Sequence, residues 1–325
     1  MYRRSLILGV LAALMASLGG GREVRAERSG LLIGTGAPGG VYYPLGDAIC
    51  HLFNFASEWQ GMRCAAAPSA GSVENIAALR AGRVDLAIVQ SDVLADAVKG
   101  EGPFEPDGPW PGLRAVFAAH DEPFTIVVRP DAAIVSAADL RGKRINIGAA
   151  GSGQRLQMEH MMAAIGLTRA DFAAVLELDP IEQVRALCDG RVNAIVYAVG
   201  HPSGLIQAAT RDCGGRIVPA AGDRIRALIE SHAEYGTMVV PGGLYAGSPV
   251  DVPTFGPRAI LVATDQVPAM TIYELVKSVF DGFDEFVRLH PAFGALAPER
   301  MARTPTFVPV HAGAVRFFQE RGWAR

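Results

Sequence analysis

The chain repeats one passage of its own sequence, and this repeat constrains the fold more than any other feature. Residues 79–89 (LRAGRVDLAIV) correspond to residues 187–196 (LCDGRVNAIV). Each copy predicts a helix end, a glycine that caps it, a charged turn and a buried strand. Upstream of the copies, Ile33-Gly34 and Ile147-Gly148 each lead into a glycine-rich turn and a helix. The first passage of each pair precedes the second by nearly the same number of residues in both pairs. We therefore predict two lobes of similar topology.

The segments around the first copy alternate between predicted strands and helices. An apolar strand at 31–33 enters the glycine loop 34–40, and a helix follows at 43–55. A strand at 62–67 comes before a helix that Ser72 can cap and that ends at Gly82, and a buried strand occupies 84–89. This alternation predicts a parallel sheet covered by helices, and therefore an α/β fold.

The remaining segments indicate how the two lobes connect. Residues 99–112 and 241–257 are rich in Pro and Gly and are predicted to be loops. Strands at 124–128 and 259–263 could carry the chain into the second lobe and back, and helices at 272–290 and 312–321 would pack on the first lobe. We predict a first lobe of residues 27–123 plus 258–325, a second lobe of residues 124–257, and a two-crossing hinge beside a cleft.

The N-terminus is typical of a secretory signal peptide, predicted to be residues 1–26. Arg3 and Arg4 come before an apolar run at 6–18, and Val24 and Ala26 occupy the positions that a signal peptidase reads. The run is shorter than the roughly 20 residues that a membrane span needs. We predict cleavage after Ala26 and a periplasmic mature protein; an uncleaved anchor is the alternative.

Four cysteines remain after the predicted cleavage site. An even number of cysteines in an exported protein permits disulfides. Of the three possible pairings, we favour Cys50–Cys64 with Cys188–Cys213, because each bond would then lie within one lobe. Four free thiols are the alternative. The chain has no CxxC or HxxxH spacing, so no metal site is predicted.

The glycine loop of the first lobe could approach a ligand closely. Gly34, Gly36 and Gly39 satisfy the GxGxxG pattern between a predicted strand and a helix. A dinucleotide site would also need an acidic residue after the second strand, where residues 67–69 are Ala, Pro and Ser. We therefore predict no cofactor. Backbone N–H groups at a helix start favour an anion, whereas a tight turn without a ligand is the alternative.

Two more helix starts, at 69–72 and 152–155, could converge on the same anion. Ser72 and Ser152 are candidate ligand contacts, and their alternative role is helix capping. Arg155 could bind a carboxylate through two hydrogen bonds, or it could be an exposed helix residue. If Arg155 binds the ligand, the substitution Arg155→Ala should weaken the affinity for an acid by about tenfold or more.

Polar side chains also follow the two repeated strands. Gln90 and Ser91 come directly after the first strand, and Tyr197 lies at the end of the second. In open α/β sheets, ligands bind at the carboxyl ends of the strands. His201 follows in a loop and is either a ligand contact or a structural histidine. These four residues are candidates for the cleft.

The sequence shows no catalytic constellation. A nucleophile in a Gly-x-Ser-x-Gly motif needs glycine two residues earlier, whereas Ser152 has Ala150 there and Ser203 has His201. The formal net charge is −3 without a long run of Lys or Arg, which argues against nucleic acid as a partner. We predict a binding protein, with an exported enzyme using the same cleft as a rival.

Motifs along nearly the whole mature chain resemble the TAXI family of solute receptors, which serve tripartite ATP-independent periplasmic (TRAP) transporters. The resemblance implies a type II periplasmic-binding-protein fold, no catalysis, and integral membrane TRAP permease subunits as partners. It points to a glutamate-like amino acid or a 2-oxoacid dicarboxylate as the ligand. Gln154 departs from the family, which often has Thr there. The motifs lie at residues 33–46, 71–75, 85–92, 139–148, 151–155, 200–202, 245–247, 251–254 and 311–314.

The matching motif positions imply eight cleft residues, to which the strand ends add Tyr197 and His201. The eight are Gly39, Tyr42, Ser72, Asn75, Gln90, Ser91, Ser152 and Arg155. Together these features predict a monomeric periplasmic protein that closes its two lobes around a small anionic metabolite for a secondary membrane transporter. A ligand-sensing subunit of a membrane signalling system is the alternative.

Overall fold

The computed structural model describes residues 30–56 and 61–323, and the predicted signal peptide lies outside these residues. Within the described part, the chain forms two five-stranded sheets, a two-stranded sheet and helices packed on the sheets. We call the unit around each five-stranded sheet a lobe. No helix in these ranges has both the length and the apolar character that crossing a bilayer requires.

The strands are numbered in chain order. They are β1 (Gly30–Gly34), β2 (Arg63–Ala67), β3 (Leu86–Gln90), β4 (Leu113–Asp121), β5 (Phe124–Val128), β6 (Arg144–Asn146), β7 (Ala174–Leu176), β8 (Ala194–Ala198), β9 (Arg216–Val218), β10 (Gly236–Val240), β11 (Val252–Gly256) and β12 (Arg258–Thr264).

The α-helices are numbered in the same way. They are α1 (Tyr42–Phe55), α2 (Ser72–Arg80), α3 (Ser91–Lys99), α4 (Gly153–Ile165), α5 (Pro180–Cys188), α6 (Gly204–Arg211), α7 (Asp223–Ser231), α8 (Ala269–Asp281), α9 (Phe283–Phe286), α10 (Pro298–Met301) and α11 (Ala312–Glu320). Short 3-10 helices lie at Gly102–Asp107, Ala137–Leu140, Arg169–Asp171 and Pro291–Phe293.

The two large sheets have the same topology. The first has the order β2-β1-β3-β12-β4 and the second has the order β7-β6-β8-β5-β9. In each sheet the first three strands are parallel, and the fourth runs antiparallel to the third. The two lobes of similar topology and the α/β architecture predicted from the repeat are therefore confirmed.

The polar residue inside each repeated strand pattern has a structural explanation. The Asp85 carboxylate accepts a hydrogen bond from the Leu32 backbone N–H at 2.9 Å, and the Asp85 backbone N–H donates one to the Leu32 carbonyl. Asn193 makes the same reciprocal pair with Arg144 in the second lobe. Both side chains thus extend the ladder one residue before the strand begins, and each satisfies a backbone donor of the neighbouring strand.

The chain crosses between the sheets at 121–124 and at 256–258, where β4 is followed by β5 and β11 by β12. Beside these crossings, β10 and β11 form an antiparallel ribbon. The predicted loop at 241–257 therefore contains a strand, because residues 252–256 pair with 236–240. The domain bounds 27–123 plus 258–325 and 124–257 remain a prediction.

One further local prediction differs from the structure. The helix expected at 272–290 ends at Asp281, and Gly282 separates it from the short helix α9. A side chain at Gly282 would approach Leu52 of α1 closely, which explains a glycine at this break. Helix α8 packs against both α1 and α11, so the C-terminal helices cover the first lobe as expected.

Both predicted disulfides are present. Cys50 on α1 bonds Cys64 on β2, and Cys188 at the end of α5 bonds Cys213 just after α6. Each bond lies within one lobe, as the preferred pairing requires. The alternative of four free thiols is excluded, because the structure shows no free cysteine and all four lie in its described part.

Candidate functional site

A cavity opens between the two lobes at the carboxyl ends of β1, β3 and β8. It encloses about 600 Å³ of space not filled by atoms, including the part open to solvent. The first lobe contributes residues 36–37, 39–42 and 70–72 together with Gln90, and the second contributes residues 152–154 and 197–199. The start of α1 faces the cavity from one side and the start of α4 from the other.

The wall from the first lobe is held by buried hydrogen bonds. Ser72 accepts a hydrogen bond from the Gln90 backbone N–H at 3.0 Å. The helix cap predicted for Ser72 is wrong, because Gly71 is the N-cap residue and Ser72 is the first residue of α2. The Ser72 hydroxyl instead joins the start of α2 to the end of β3, which fixes both at the cavity.

The wall from the second lobe begins with a capped helix. Ser152 is the N-cap of α4, accepts from the Arg155 backbone N–H at 3.3 Å and donates to the Ala149 carbonyl at 2.7 Å. The capping role of Ser152 is confirmed. Tyr197 donates through its hydroxyl to the Pro180 carbonyl at 2.8 Å, and both residues line the cavity.

The lobes touch each other at the rim of the cavity. The Glu74 backbone N–H donates to the Gly151 carbonyl at 3.2 Å across the cleft. A methyl group on Gly153 would overlap the side chain of Gln90. The structure is thus a closed arrangement, in which glycine at 153 lets the two walls approach.

A buried carboxylate forms the floor of the cavity. Glu122 lies in the crossing between β4 and β5, is 2% exposed, and accepts a hydrogen bond from the Tyr42 hydroxyl at 2.7 Å. Desolvation, followed by the charge of Glu122, raises the pKa of Tyr42 well above its usual value. Tyr42 therefore stays protonated and acts as a donor to Glu122.

A second contact between the lobes lies behind the cavity. Asp92 at the start of α3 is fully buried and accepts from the hydroxyl of Tyr235, which belongs to the core of the second lobe, at 2.8 Å. The same hydroxyl lies 2.7 Å from His160 Nδ1. Burial raises the pKa of Asp92 to about 7, so this contact between the lobes includes an acid that titrates near neutral pH.

The structure brings six of the ten predicted site residues to the cavity. These six are Gly39, Tyr42, Ser72, Gln90, Ser152 and Tyr197. The other four lie elsewhere, each with partners of its own. Which of the ten contact a ligand stays a prediction.

Asn75 and Ser91 support the cavity from behind instead of lining it. The Asn75 amide donates to the carbonyls of Thr35 and Ile88, and so ties β1 to β3 inside the first lobe. Ser91 donates to the Glu234 carbonyl and accepts from the Arg258 backbone N–H, which joins α3 to both lobes. The cleft positions predicted for both residues are corrected to buried structural positions, because their polar atoms are already satisfied there.

Arg155 and His201 also lie away from the cavity. The guanidinium of Arg155 pairs with Glu159 and Glu177 on the outside of the second lobe, so its predicted cleft position is corrected. His201, in a cis peptide bond with Pro202, contacts the hydroxyls of Thr125 and Tyr245. Desolvation lowers the pKa of His201 to about 4, so it is neutral at physiological pH.

Three polar residues of the cavity lining were not predicted as site residues from the sequence. They are Glu122, Gln154 and Ser203. Glu122 had a usable signal, because the pair Asp121-Glu122 interrupts two apolar strands at the predicted crossing between lobes. Crossings border the cleft of a hinged protein, so an acid there was a candidate for the cavity floor.

Comparison with known proteins identifies relatives across the chain. The model of the NMT1-like family matches residues 33–322. A protein of Bordetella bronchiseptica RB50 is 15% identical with a TM-score of 0.57, over 91% of this chain and 98% of that chain. The ligand-binding component of an ABC-type import system from Staphylococcus aureus, with zinc bound, is 13% identical with a TM-score of 0.50, over 91% and 92%.

The alkanesulfonate-binding protein of Xanthomonas axonopodis pv. citri, bound to MOPS, is 18% identical over 92% of this chain and 96% of that chain, with a TM-score of 0.49. The Bordetella and Staphylococcus structures match the present one along both lobes. The type II periplasmic-binding-protein fold predicted from the sequence is therefore confirmed.

Proposed function

The chain belongs to the NMT1-like family, and on this premise we propose that it is a periplasmic solute-binding protein that captures a small anionic metabolite for a membrane transporter. One observation carries the proposal: both lobes direct the starts of helices into the same cavity between them. Backbone N–H groups at the start of α1 and α4 have no partner within their own helix, and they favour negative charge.

Closure of the lobes supplies the binding mechanism. The ligand is held by residues 39–42 and Ser72 on one side and by residues 152–154 on the other. A ligand favours the closed form only by the difference between its affinities for the closed and open forms. Hydrogen bonds to a charged ligand contribute about 1.5–3 kcal/mol each, so a few bonds made only on closure shift the equilibrium strongly.

Three features support export and delivery. The N-terminal sequence has the layout of a signal peptide, and two disulfides are typical of an oxidising compartment. The motifs resembling TAXI receptors favour TRAP permease subunits as the membrane partner, with the closed form as the surface that the permease recognises. The S. aureus protein of similar fold is the ligand-binding component of an ABC-type import system. The test of delivery therefore compares a TRAP permease with an ABC permease.

A thermal-shift screen of carboxylates and amino acids tests the binding role, because a ligand that prefers the folded form raises the melting temperature. We expect at least one small acid to stabilise the protein and to be recovered chemically unchanged. Calorimetry then gives its affinity, and uptake of the same acid into vesicles carrying a candidate permease tests delivery. A screen in which no small acid binds would overturn the proposal.

A further inference from the structure

The cavity contains a negative charge and lacks a side chain of opposite charge. Among the described residues that line it, Glu122 is the only acidic residue, and none is Lys, Arg or His. A ligand with only carboxylate charges would therefore be placed against a buried carboxylate, at a site of low dielectric where repulsion between like charges is strong. A ligand group that donates a hydrogen bond or carries positive charge beside Glu122 would avoid this repulsion.

Within the described part of the chain, the neighbours of Glu122 leave one of its two oxygens without a hydrogen bond. The Tyr42 hydroxyl donates a hydrogen bond to Glu122 Oε2 at 2.7 Å. His120 Nε2 is 3.6 Å from Oε1, which is beyond hydrogen-bond distance, and no hydrogen bond reaches Oε1 from residues 30–56 or 61–323. Both ring nitrogens of His120 are buried without a hydrogen-bond partner in the same ranges, so His120 faces Oε1 at ion-pair distance but donates no hydrogen bond to it.

Gln90 provides a second buried acceptor in the same lining. Its side chain is 2% exposed at the end of β3, and Oε1 has no hydrogen-bond partner in the described part of the chain. An unsatisfied buried polar atom costs about 1–3 kcal/mol, so native proteins rarely leave one without a function. Glu122 and Gln90 both accept hydrogen bonds, and both lie on the side of the cavity formed by the first lobe and the hinge.

We propose that Glu122, together with Gln90, selects ligands that carry a primary amine beside their carboxylate. This inference rests on the proposed function, since the carboxylate is assigned to the backbone N–H groups at the helix starts. The amine donates to Glu122 Oε1 and to Gln90 Oε1, and its positive charge compensates the buried acid. The ligand class is then an amino acid, whose carboxylate is the anionic group of the proposed function, and 2-oxoacids of the same carbon skeleton are discriminated against.

Matched ligand pairs test the inference by calorimetry at pH 7.5. The pairs are L-glutamate with 2-oxoglutarate, L-alanine with pyruvate, and L-leucine with 4-methyl-2-oxopentanoate. In every pair that binds, we expect the amino acid to bind the wild-type protein about tenfold more tightly or better, as one charge-assisted hydrogen bond implies. The variant Glu122→Gln should reduce this ratio at least about fivefold.

The control variant is Glu105→Gln, an exposed glutamate outside the cavity, which should leave the ratio unchanged. Oxoacids that bind the wild-type protein as tightly as their amino acids would overturn this inference and leave the proposed function standing. An unchanged ratio in a folded Glu122→Gln variant would do the same. If no acid of either series binds, the proposed function falls and this inference falls with it. The wild-type comparison decides the matter even if Glu122→Gln does not fold.

Discussion

The two repeated strands have the same beginnings and different ends. Just before β3 and β8, Asp85 and Asn193 make equivalent bonds to the neighbouring strand. From the last residue of each strand onward, the first lobe has the buried polar residues Gln90, Ser91 and Asp92, whereas the aligned residues 198–200 of the second lobe are Ala, Val and Gly. The repeated part builds the sheets, and the part that differs supplies the buried polar groups of the cleft and hinge.

The difference also divides the chemistry of the cavity. The first lobe and the hinge contribute the acceptors Gln90 and Glu122, while the second lobe contributes a capped helix start, the polar residues Gln154 and Ser203, and the apolar residues Val199 and Leu205. Closure brings these unlike walls together. Two lobes of one topology can therefore bind the two ends of a single asymmetric ligand.

The largest expected effect concerns Asp92, which the second lobe lacks. Its pKa of about 7 in the folded protein is above the ordinary value of 3.8, and desolvation is the main cause. The folded state thus binds more protons than the unfolded state. The contribution of Asp92 to the free energy of unfolding is therefore fully present below about pH 4 and is lost as pH rises to about 7. In the Asp92→Asn variant, the free energy of unfolding should fall by up to about 4 kcal/mol less than in the wild type between pH 4 and 8. Urea unfolding across this pH range measures the difference.

Asp47→Asn is the matched control for Asp92→Asn, because Asp47 is exposed on α1. Its unfolding free energy should follow the wild-type pH dependence. Identical pH profiles for Asp92→Asn and the wild type would show that Asp92 is not the group that titrates.

The disulfides are expected to affect the two lobes equally. Cys50–Cys64 spans 14 residues and Cys188–Cys213 spans 25. Because the entropy of loop closure grows slowly with length, replacing either pair by serine should cost about 3 kcal/mol, read from denaturant unfolding. The reduced wild-type protein should match the variant that lacks both bonds. A loss confined to one lobe would contradict the equivalence.

The two walls should respond differently to an added methyl group. Gly153→Ala would overlap the Gln90 side chain in the closed form, whereas a methyl group on Gly39 would only approach the Leu205 side chain, at 3.2 Å. Overpacking costs about 1–3 kcal/mol, so Gly153→Ala should weaken ligand affinity roughly 10- to 100-fold and Gly39→Ala much less. Calorimetry measures both. Equal losses would mean that the contact between Gly153 and Gln90 does not limit closure.

The equivalent positions Asp85 and Asn193 provide a smaller test. Each side chain accepts a hydrogen bond from one backbone N–H that would otherwise be unsatisfied. Asp85→Ala and Asn193→Ala should therefore each lower the free energy of unfolding by about 1–2 kcal/mol. The exposed control Glu105→Ala should change it little. Losses that differ severalfold would show that the two strand starts are equivalent in geometry but not in energy.

The smallest expected effect is at Arg155. Its ion pairs with Glu159 and Glu177 lie at the surface of the second lobe, and surface pairs contribute about 0–1 kcal/mol. Arg155→Ala should therefore leave ligand affinity within about twofold of wild type, in contrast to Glu122→Gln. A tenfold loss of affinity in calorimetry would return Arg155 to the binding site.

The sequence by itself indicated the α/β architecture, the two lobes of similar topology and the preferred disulfide pairs. Local signals carry this information: the repeat, the glycine at each helix end, and the alternation of apolar runs depend on residues close together in the chain. Even there, Ser72 was assigned the wrong role, because its hydroxyl bonds a backbone group 18 residues away.

Only the tertiary structure decided which polar side chains share the cavity. Glu122 meets Tyr42 across 80 residues, and Asp92 meets Tyr235 across 143. Arg155 turns outward because Glu159 and Glu177 satisfy it there. Such pairings depend on how two lobes pack after folding, and the cost of leaving a buried polar group unsatisfied then selects one partner among many. No local pattern in the sequence records that selection.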